Sequence, residues 1–382
     1  MKKFLMVATV PSMIGQFNMD NLRILLELGY QVHVACNFKD TSVWTVERTD
    51  LFKQQLSELN VKCLQIEFAR TPYDVSKLIK SYKQLRSLMM QERYEGIHCH
   101  TPVAGMIARL AARGMEAKVI YTAHGFHFYK GAPLKNWILY YPVEKVCSRM
   151  TDVLITINKE DYSLAKNKMK AKSILYVPGV GVDTEKFDYE HSYRNIKSEF
   201  NIPDDAKIIL SIGELSERKN HGSVIQALAK MGVADNNKIY YVIVGKGILY
   251  EKLERIATEN KMDKQVILAG FRTDVLDFYH SADVFVFPSY MEGLPVALME
   301  AMACRLPVAV SNVRGNRDLI DPEGGVLFKP DDVSDIYTKL AYLLELSDNK
   351  LEKMGAHNQE IVKGFDKNIV QKTMTEIYKN VS

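Results

Sequence analysis

The chain has 382 residues, of which 47% are hydrophobic and 25% charged, and its formal net charge is +4. This length and composition exclude a disordered chain and allow two domains, each with its own core. No apolar run reaches the length that a membrane-spanning helix needs. The short apolar run at residues 4–10 ends at Pro11, so we predict a first strand there rather than a secretion signal.

Charge is distributed unevenly along the chain. Residues 1–180 carry 25 Lys and Arg against 15 Asp and Glu, whereas residues 181–382 carry 25 against 31. A basic first half suggests contact with something anionic, such as a membrane surface or a phosphorylated ligand. The five cysteines are scattered without a CxxC pair, which favours reduced thiols in a cytoplasmic protein over a disulfide framework or a zinc site.

Short apolar runs alternate with amphipathic segments, a pattern typical of a parallel sheet covered by helices. In the first half we predict helices over residues 75–92 and 103–113. The predicted strands of this half are residues 4–10, 31–36, 96–100, 118–122 and 152–156.

A second series of strands follows a glycine-rich hinge at residues 176–182. Its predicted strands are residues 207–212, 239–244, 265–268, 284–287, 307–310 and 325–328. The sequence therefore predicts an α/β protein with two Rossmann-like, doubly wound domains that face a central cleft. We expect the first domain at residues 1–178, the second at residues 179–362, and a C-terminal helix within residues 363–382 that packs back on the first domain.

His124 follows the predicted strand 118–122, in a segment that also contains Gly125 and His127. A glycine beside an imidazole lets backbone and ring approach a ligand closely, and a histidine there can bind a hydroxyl or transfer a proton. The alternative is an ordinary structural histidine in a loop. His98 and His100 lie two residues apart on a predicted strand without further metal ligands nearby, and we interpret them as structural.

Arg218 and Lys219 follow the first strand of the second half. Ligands of α/β folds bind beyond the carboxyl ends of the strands, where these two cations could neutralise a diphosphate. The alternative is a solvated pair at a helix start, which the helix dipole disfavours.

Glu292 and Glu300 are two carboxylates eight residues apart. The buried run 284–287 is followed by a breaker and by Gly293, Leu294, Pro295 and Val296, a sequence that indicates a tight turn into a helix. Glu292 should then lie in the loop and Glu300 on the helix, with room for a diphosphate at the helix N-terminus. A nucleotide-sugar fits this arrangement, although acidic residues near a helix start are also common without a ligand.

Four further residues are candidates for binding the same nucleotide-sugar. Gly245 begins an incomplete glycine-rich motif, and Phe271 and Arg272 follow a strand end where they could frame a nucleobase. Gly15 ends a predicted loop after the first strand, which could form the opposite lip of the cleft. Each of these positions also fits an ordinary loop.

Several familiar motifs do not occur in the sequence. It contains no P-loop motif, and no Asp-x-Asp pair to hold a divalent ion on a sugar nucleotide. We therefore expect a metal-independent protein without a cofactor, and no nucleic-acid partner, because no recognised nucleic-acid motif occurs.

Two basic segments with aromatic and apolar residues, at 73–94 and 130–149, could lie on an anionic membrane. The commoner alternative is a helix that packs on its own sheet and exposes a solvated Lys face.

Taken together, these residues resemble the retaining GT-B glycosyltransferases of family 4, and more narrowly the bacterial capsular and exopolysaccharide glycosyltransferases. The resemblance covers nearly the whole chain. The matching segments are IHCHTP at 97–102, TAHGFHFYKG at 122–131, VPGVGVD at 177–183, LSERKN at 215–220 and the E-x7-E signature at 292–300.

The resemblance implies separate roles for the site residues. Glu300 would bind the ribose of the donor nucleotide, Glu292 the hydroxyls of the donor sugar, and the amides of Gly293 to Val296 the diphosphate. Lys219 would be the phosphate-binding lysine, and His124 the histidine that reaches the reacting centre. Many members carry an Arg five residues before that Lys, but here the position is Glu214. Arg218 is the alternative second cation.

The implied activity is front-face transfer with retention, without a covalent enzyme intermediate. We expect a hexose or N-acetylhexosamine to move from a UDP-sugar to a polyprenyl-diphosphate-linked saccharide in capsule or exopolysaccharide synthesis. The protein would be cytoplasmic and peripherally associated with the inner face of the cell membrane. The alternatives are a UDP-sugar epimerase on the same scaffold and a non-catalytic subunit that binds sugar nucleotides.

Overall fold

The computed structural model describes residues 2–188, 193–235 and 238–381. The chain divides into two compact units. Unit 1 comprises Met1–Val180 and Asn368–Ser382, and unit 2 comprises Gly181–Lys367. The boundaries expected from the sequence, after residues 178 and 362, lie two and five residues before the observed ones.

Unit 1 contains a seven-stranded parallel sheet. Its strands are β1 (Lys3–Val7), β2 (Gln31–Cys36), β3 (Lys62–Gln65), β4 (Gly96–His100), β5 (Lys118–Ala123), β6 (Val153–Thr156) and β7 (Ser173–Tyr176). They lie in the order β3-β2-β1-β4-β5-β6-β7. The chain therefore changes its direction of travel through the sheet between β1 and β4, at a switch point of the kind where α/β folds bind ligands.

The helices of unit 1 connect these strands. They are α1 (Pro11–Phe17), α2 (Met19–Glu27), α3 (Val46–Glu58), α4 (Val75–Glu92), α5 (Pro102–Ala112), α6 (Leu134–Ser148) and α7 (Lys159–Lys168). α1 and α5 both begin with proline, whose missing N–H costs nothing in the first turn. α4 begins after Asp74, whose side chain accepts a hydrogen bond from Lys77 N at 3.1 Å.

The core of unit 1 lies on both faces of its sheet. Along β1, Phe4 and Met6 belong to one buried cluster, and Leu5 and Val7 belong to another. Successive side chains of a strand point to opposite faces, so each cluster lies on its own side of the sheet. This two-sided burial explains why the central strands are continuous apolar runs.

Unit 2 contains a six-stranded parallel sheet in the order β10-β9-β8-β11-β12-β13, with its switch point between β8 and β11. Its strands are β8 (Lys207–Ile212), β9 (Ile239–Val244), β10 (Val266–Gly270), β11 (Val284–Phe287), β12 (Val308–Ser311) and β13 (Gly325–Phe328). Its helices are α8 (His221–Lys230), α9 (Tyr250–Glu259), α10 (Val275–Ser281), α11 (Val296–Ala303), α12 (Asn316–Leu319), α13 (Val333–Leu344) and α14 (Asp348–Lys363). The predicted pair of Rossmann-like α/β units is confirmed.

The last helix, α15 (Lys367–Lys379), returns to unit 1. Val370, Met374, Ile377 and Tyr378 are buried in the same cluster as Phe4. The two backbone segments where the chain enters and leaves unit 2 lie side by side. They are joined by a hydrogen bond from Lys367 N to Val182 O at 2.9 Å. Unit 2 is thus bounded by two adjacent crossings of the chain.

The structure corrects one local expectation. A loop was predicted at residues 11–15, but Pro11 begins helix α1, and the first strand ends at Val7. A Cβ atom on Gly15 would lie 2.4 Å from Trp44 Cη2. Gly15 is therefore needed for the packing of α1 against Trp44, which is a structural reason for the glycine.

Candidate active site

The switch point of unit 2 brings together two loops that are far apart in the sequence. One follows β8 and ends in a short 3-10 turn, Glu217–Lys219, and the other follows β11 and leads to α11. The loops are joined by a backbone hydrogen bond from Tyr290 N to Arg218 O at 2.9 Å. Because β8 and β11 are neighbours in the sheet, residues after their carboxyl ends lie close together.

Glu292 lies between two cations in this place. Arg218 Nη1 is 2.7 Å and Lys219 Nζ is 2.8 Å from the same oxygen, Glu292 Oε1. The Lys219 ammonium also lies over the Phe287 ring, 4.3 Å from its centroid. The structure thus brings together three of the residues predicted from separate stretches of sequence.

Burial and charge act in opposite directions on these groups. Burial alone would raise the pKa of Glu292, but the charges of Lys219 and Arg218 hold that pKa below its ordinary value. Burial lowers the pKa of Lys219, and Glu292 partly offsets that effect. The side chain of Lys219 is 11% exposed and that of Arg218 is 40% exposed, so Arg218 is the more accessible cation.

Glu300 lies on α11 in a different environment. Its Oε2 atom accepts a hydrogen bond from the Tyr279 hydroxyl at 2.8 Å. Burial raises the pKa of Glu300 despite this hydrogen bond. Tyr279, on α10, was not predicted from the sequence, since nothing in its spacing indicates that it contacts a residue 21 positions later.

The segment between the two carboxylates turns tightly into α11. Glu292, Leu294 and Pro295 are buried, and the helix begins at Val296. Pro295 occupies the N-cap position and has no side-chain group that could accept from the first amides of the helix. Such a helix start suits an anion.

Gly245 contacts the loop after β8. A Cβ atom at this position would lie 1.8 Å from Gly213 O, and the φ angle of Gly245 is +155°. Both facts require glycine at this position. Because Gly245 has no side chain, the loops after β8 and β9 can approach closely. Glu214, where a cation was expected from the resemblance, is exposed next to this contact.

Phe271 and Arg272 follow β10, and their surroundings differ. The Phe271 side chain is exposed, with Lys246 Nζ 5.4 Å from its ring centroid. Arg272 is committed to ion pairs with Glu199 and Asp274, both at 2.6 Å. Phe271 is thus free to stack, whereas Arg272 organises its own loop.

In unit 1, His124 lies directly after β5 and joins a row of histidines. Its Nε2 atom is 3.0 Å from His100 Nδ1, and His100 Nε2 is 3.1 Å from Met6 Sδ. His98, whose ring centroid is 4.1 Å from that of His100, lies 2.8 Å from both the Tyr378 hydroxyl and Thr122 Oγ1. The two strand histidines, interpreted as structural, therefore connect α15 to the predicted active-site histidine.

A cavity of about 330 Å³ lies at the carboxyl ends of β1 and β4 in unit 1. Its lining includes Met13, Phe17, Thr101, Tyr140 and a single formal charge, Arg70. Thr101 adopts φ 64° and ψ 147°, a conformation that costs a non-glycine residue about 1–3 kcal/mol. Its hydroxyl group is 2.7 Å from that of Thr9, across the switch point. Neither this strain nor the cavity was predicted from the sequence.

Helix α6 exposes an apolar stripe, which we define as Leu134, Ile138, Pro142 and Val146. These residues are four positions apart and share one face of the helix. Leu134, Ile138 and Val146 are 74%, 68% and 52% exposed. On the opposite side, Glu144 is buried and accepts from Arg109 Nη1 at 2.8 Å, which fixes the rotation of α6.

No helix in the described part of the chain combines the length and apolarity needed to cross a bilayer. In the same residues, no group of three or more His, Cys, Asp and Glu side chains has a geometry that could hold a metal ion.

Comparison with known proteins gives a consistent result. Residues 17–158 match the family model "Glycosyl transferase 4-like", and residues 192–360 match "Glycosyl transferases group 1". The chain is 33% identical to a putative glycosyltransferase, EpsD, of Bacillus subtilis, over 99% of this chain and 96% of the relative. It is 31% identical to a UDP-Gal:alpha-D-GlcNAc-diphosphoundecaprenol alpha-1,3-galactosyltransferase of Escherichia coli, over 78% and 77%.

Solved structures agree on the fold. Sucrose-phosphate synthase of Thermosynechococcus elongatus is similar with a TM-score of 0.79 and 18% identity, over 100% of this chain and 99% of the other. Anabaena Alr3699/HepE, solved in complex with UDP, is similar with a TM-score of 0.77 and 16% identity, over 99% and 100%. At these identities the likeness concerns the fold alone.

The paired parallel units, with one carboxylate between two cations at a switch point and a second carboxylate on the helix that follows, define a GT-B glycosyltransferase. The chain belongs to the group 1, family 4-like glycosyltransferases, and its relatives include bacterial enzymes named for capsular polysaccharide and O-antigen biosynthesis. The predicted family and the predicted transferase activity are both confirmed.

Proposed function

We propose that this glycosyltransferase moves a hexose or N-acetylhexosamine from a UDP-sugar to a polyprenyl-diphosphate-linked saccharide, with retention, in capsule or exopolysaccharide synthesis. The observation that carries the proposal is the contact of Glu292 with both Arg218 and Lys219 at the switch point of unit 2. Relatives named for diphosphoundecaprenol-linked acceptors support the choice of acceptor, and one is named for UDP-Gal.

Two cations beside one carboxylate suit a diphosphate ligand. The Lys219 ammonium has three N–H donors and the Arg218 guanidinium has five, so each can keep its bond to Glu292 and still donate to a phosphate oxygen. Arg218 then supplies the second positive charge that Glu214 does not. Gly293 and the first amides of α11 would complete the phosphate contacts.

The two carboxylates have separate roles in this proposal. Glu300, close to Tyr279, would accept hydrogen bonds from the ribose hydroxyls, while Glu292 would accept from a hydroxyl of the donor sugar. Phe271 would stack on the base, and Gly245 would allow the backbone to approach the donor.

The reaction follows from these contacts. The bond from the anomeric carbon to the phosphate oxygen breaks, and the acceptor oxygen forms its bond on the same face of the sugar. The acceptor proton passes to the departing phosphate, whose charge Lys219 stabilises. No metal ion is required, because Lys219 and Arg218 carry the charge that a cation would otherwise supply.

The chain is proposed to work on the cytoplasmic face of the membrane, where a polyprenyl-linked acceptor is accessible. The exposed apolar stripe of α6 is flanked by Lys135 and Arg149, a composition that suits an anionic lipid surface. The cavity in unit 1, with Arg70 at its lining, is the proposed place of the acceptor.

The test is transfer by the purified protein from a panel of UDP- and GDP-sugars to undecaprenyl-diphosphate-linked saccharides, with excess EDTA in a parallel series. We expect UDP release that depends on the acceptor, an α-configured product from an α-configured donor, and no loss of rate with EDTA. An epimerised sugar nucleotide without acceptor would instead identify an epimerase. Binding of a UDP-sugar without turnover on any acceptor would indicate a non-catalytic subunit.

A further inference from the structure

The histidine row of unit 1 is defined as His98, His100 and His124. The hydrogen-bond partners of these rings indicate which ring nitrogen of His100 and of His124 carries the proton. A neutral imidazole has one nitrogen that donates and one that accepts. His100 Nε2 lies 3.1 Å from Met6 Sδ, and a thioether sulfur has no hydrogen to donate. The proton of His100 therefore belongs on Nε2, where it can point at the sulfur, and Nδ1 is left as an acceptor.

The protonation of His100 determines that of the next ring, His124. His100 Nδ1, as an acceptor, faces His124 Nε2 at 3.0 Å, so His124 must donate from Nε2. A neutral His124 that carries its proton on Nε2 has an unprotonated Nδ1. The tautomer of His124 is thus set by a methionine on β1 that it does not contact.

These tautomers exist only in neutral rings, and burial keeps the three rings neutral. Burial lowers the pKa of His124 to about 4 and that of His98 to about 3, and it lowers the pKa of His100 well below its usual range. All three imidazoles are uncharged at neutral pH.

The rings are also held in place. His98 packs against His100 with ring centroids 4.1 Å apart, and its nitrogens bond to the Tyr378 and Thr122 hydroxyls. His98 and His100 are both fully buried on β4. The plane of the His100 ring is therefore constrained by its neighbour as well as by its own contacts.

We propose that His100 is a positioning residue that holds His124 as the Nε2–H tautomer, so that His124 presents Nδ1 as a hydrogen-bond acceptor for a sugar hydroxyl. This role rests on the proposed function and on the family resemblance, which implies that His124 reaches the reacting centre. In the reaction, Nδ1 would accept from a hydroxyl and so orient it, while the acceptor proton still leaves with the phosphate.

The test is nitrogen NMR of the free protein labelled with ¹⁵N-histidine, in which long-range ¹H–¹⁵N correlations identify the protonated nitrogen of each ring. We expect His124 to be protonated on Nε2. Met6→Leu, a volume-conserving change that removes the acceptor sulfur, should give a mixture of the two His124 tautomers. His100→Phe should remove the hydrogen bond from His124 Nε2 to His100 Nδ1 altogether. Matched controls are Met89→Leu and His33→Phe, which alter a buried methionine and a buried histidine outside the row.

Activity gives a second measurement. We expect His100→Phe to lower kcat by up to about tenfold while the Kd for UDP stays unchanged, because His124 then no longer holds the orienting hydrogen bond from the sugar hydroxyl, and one such hydrogen bond is worth up to about tenfold. A wild-type His124 protonated on Nδ1, or a tautomer unchanged in both Met6→Leu and His100→Phe, would overturn the inference whether or not the enzyme transfers sugar. If the NMR result is as expected but His124→Ala transfers sugar at the wild-type rate, the proposed role of His124 is overturned instead.

Discussion

Lys219 and Arg218 share one carboxylate oxygen, Glu292 Oε1, yet they differ in exposure and so in the effect expected from their removal. Lys219 is held in a buried position over Phe287, where a charge acts in a low dielectric. Arg218 is more exposed and more strongly screened by solvent. In the proposed reaction, we therefore expect Lys219 to carry more of the transition-state stabilisation than Arg218.

We predict that Lys219→Met lowers kcat by about 10²–10³-fold, the loss typical for one preorganised electrostatic donor. Arg218→Met should mainly weaken UDP-sugar binding, with a smaller change in kcat. Steady-state kinetics with the donor identified by the transfer assay measures both effects. Lys252→Met, which removes an exposed ion pair with Glu217 on the same unit, is the control and should leave both constants unchanged. Equal losses for Arg218→Met and Lys219→Met would contradict the distinction.

The raised pKa of Glu300 leads us to predict that UDP binding depends on pH. Burial raises the pKa of Glu300 above its ordinary value, and in the proposed complex the ionised carboxylate accepts from the ribose hydroxyls more strongly than the protonated acid. UDP affinity should therefore rise as pH increases through the raised pKa of Glu300. Glu292, whose pKa is lowered, is already ionised where Glu300 titrates.

Isothermal titration with UDP at several pH values measures this dependence. Glu300→Gln should bind UDP more weakly and lose the rise with pH. A rise that persists in Glu300→Gln would assign it to another titrating group.

Helix α6 is the element that connects the fold to the proposed membrane surface. Its inner side is fixed by the Glu144–Arg109 ion pair, so the apolar stripe points outward in the folded protein. An exposed apolar stripe beside cations is costly in water unless it meets another apolar phase.

We predict that Ile138→Ser lowers the partition of the protein onto vesicles containing anionic lipid by about tenfold, because a buried Ile contributes about 1.5–3 kcal/mol. Vesicle sedimentation measures the change. Ile248→Ser, at a residue that is 92% exposed in unit 2, is the matched control. Binding that is insensitive to Ile138→Ser, to salt and to anionic lipid would exclude this surface as the membrane contact.

Six strands have the predicted bounds: β2, β4, β8, β9, β11 and β13. Most of them are mainly apolar runs, as expected of strands covered on both faces. β3 and β7 were missed. Both are edge strands of the unit 1 sheet, and they are only partly buried, so their sequences carry a weaker apolar signal.

The site was predicted as separate pieces, because its contacts are tertiary. Glu292, Lys219 and Arg218 were each identified near a strand end, but the contact across 73 and 74 residues depends on β8 and β11 being neighbours. The loop expected at Gly15 was wrong because a proline after a strand fits a helix start as well as a turn. The tautomer of His124 depends on Met6, which no local pattern indicates.

At the scale of the whole molecule, α15 predicts how the two units depend on the C-terminus. Val370, Met374, Ile377 and Tyr378 fill the core of unit 1, and burying each large apolar side chain contributes about 1.5–3 kcal/mol. The sum is comparable to the entire stability of a typical domain.

We predict that a chain ending at Lys367 loses the folded structure of unit 1 and keeps that of unit 2. Calorimetry should show the unfolding transition of unit 2 and lack that of unit 1. Residues 181–367 expressed alone should give the same remaining transition, since both of their ends are joined by the Val182–Lys367 hydrogen bond. Two unchanged transitions in the shortened chain would show that α15 is dispensable for unit 1.

The adjacent crossings at Val182 and Asp366 also have a consequence for biosynthesis. Domains usually complete their folding from the N-terminus as the chain leaves the ribosome. Here unit 1 begins before unit 2 in the sequence but waits for α15, because Tyr378 and its neighbours are translated only after unit 2. The second unit, complete by Lys367, is free to fold first. During synthesis the order of folding is therefore the reverse of the order of translation, and the unfinished sheet of unit 1 is the species that a chaperone would meet.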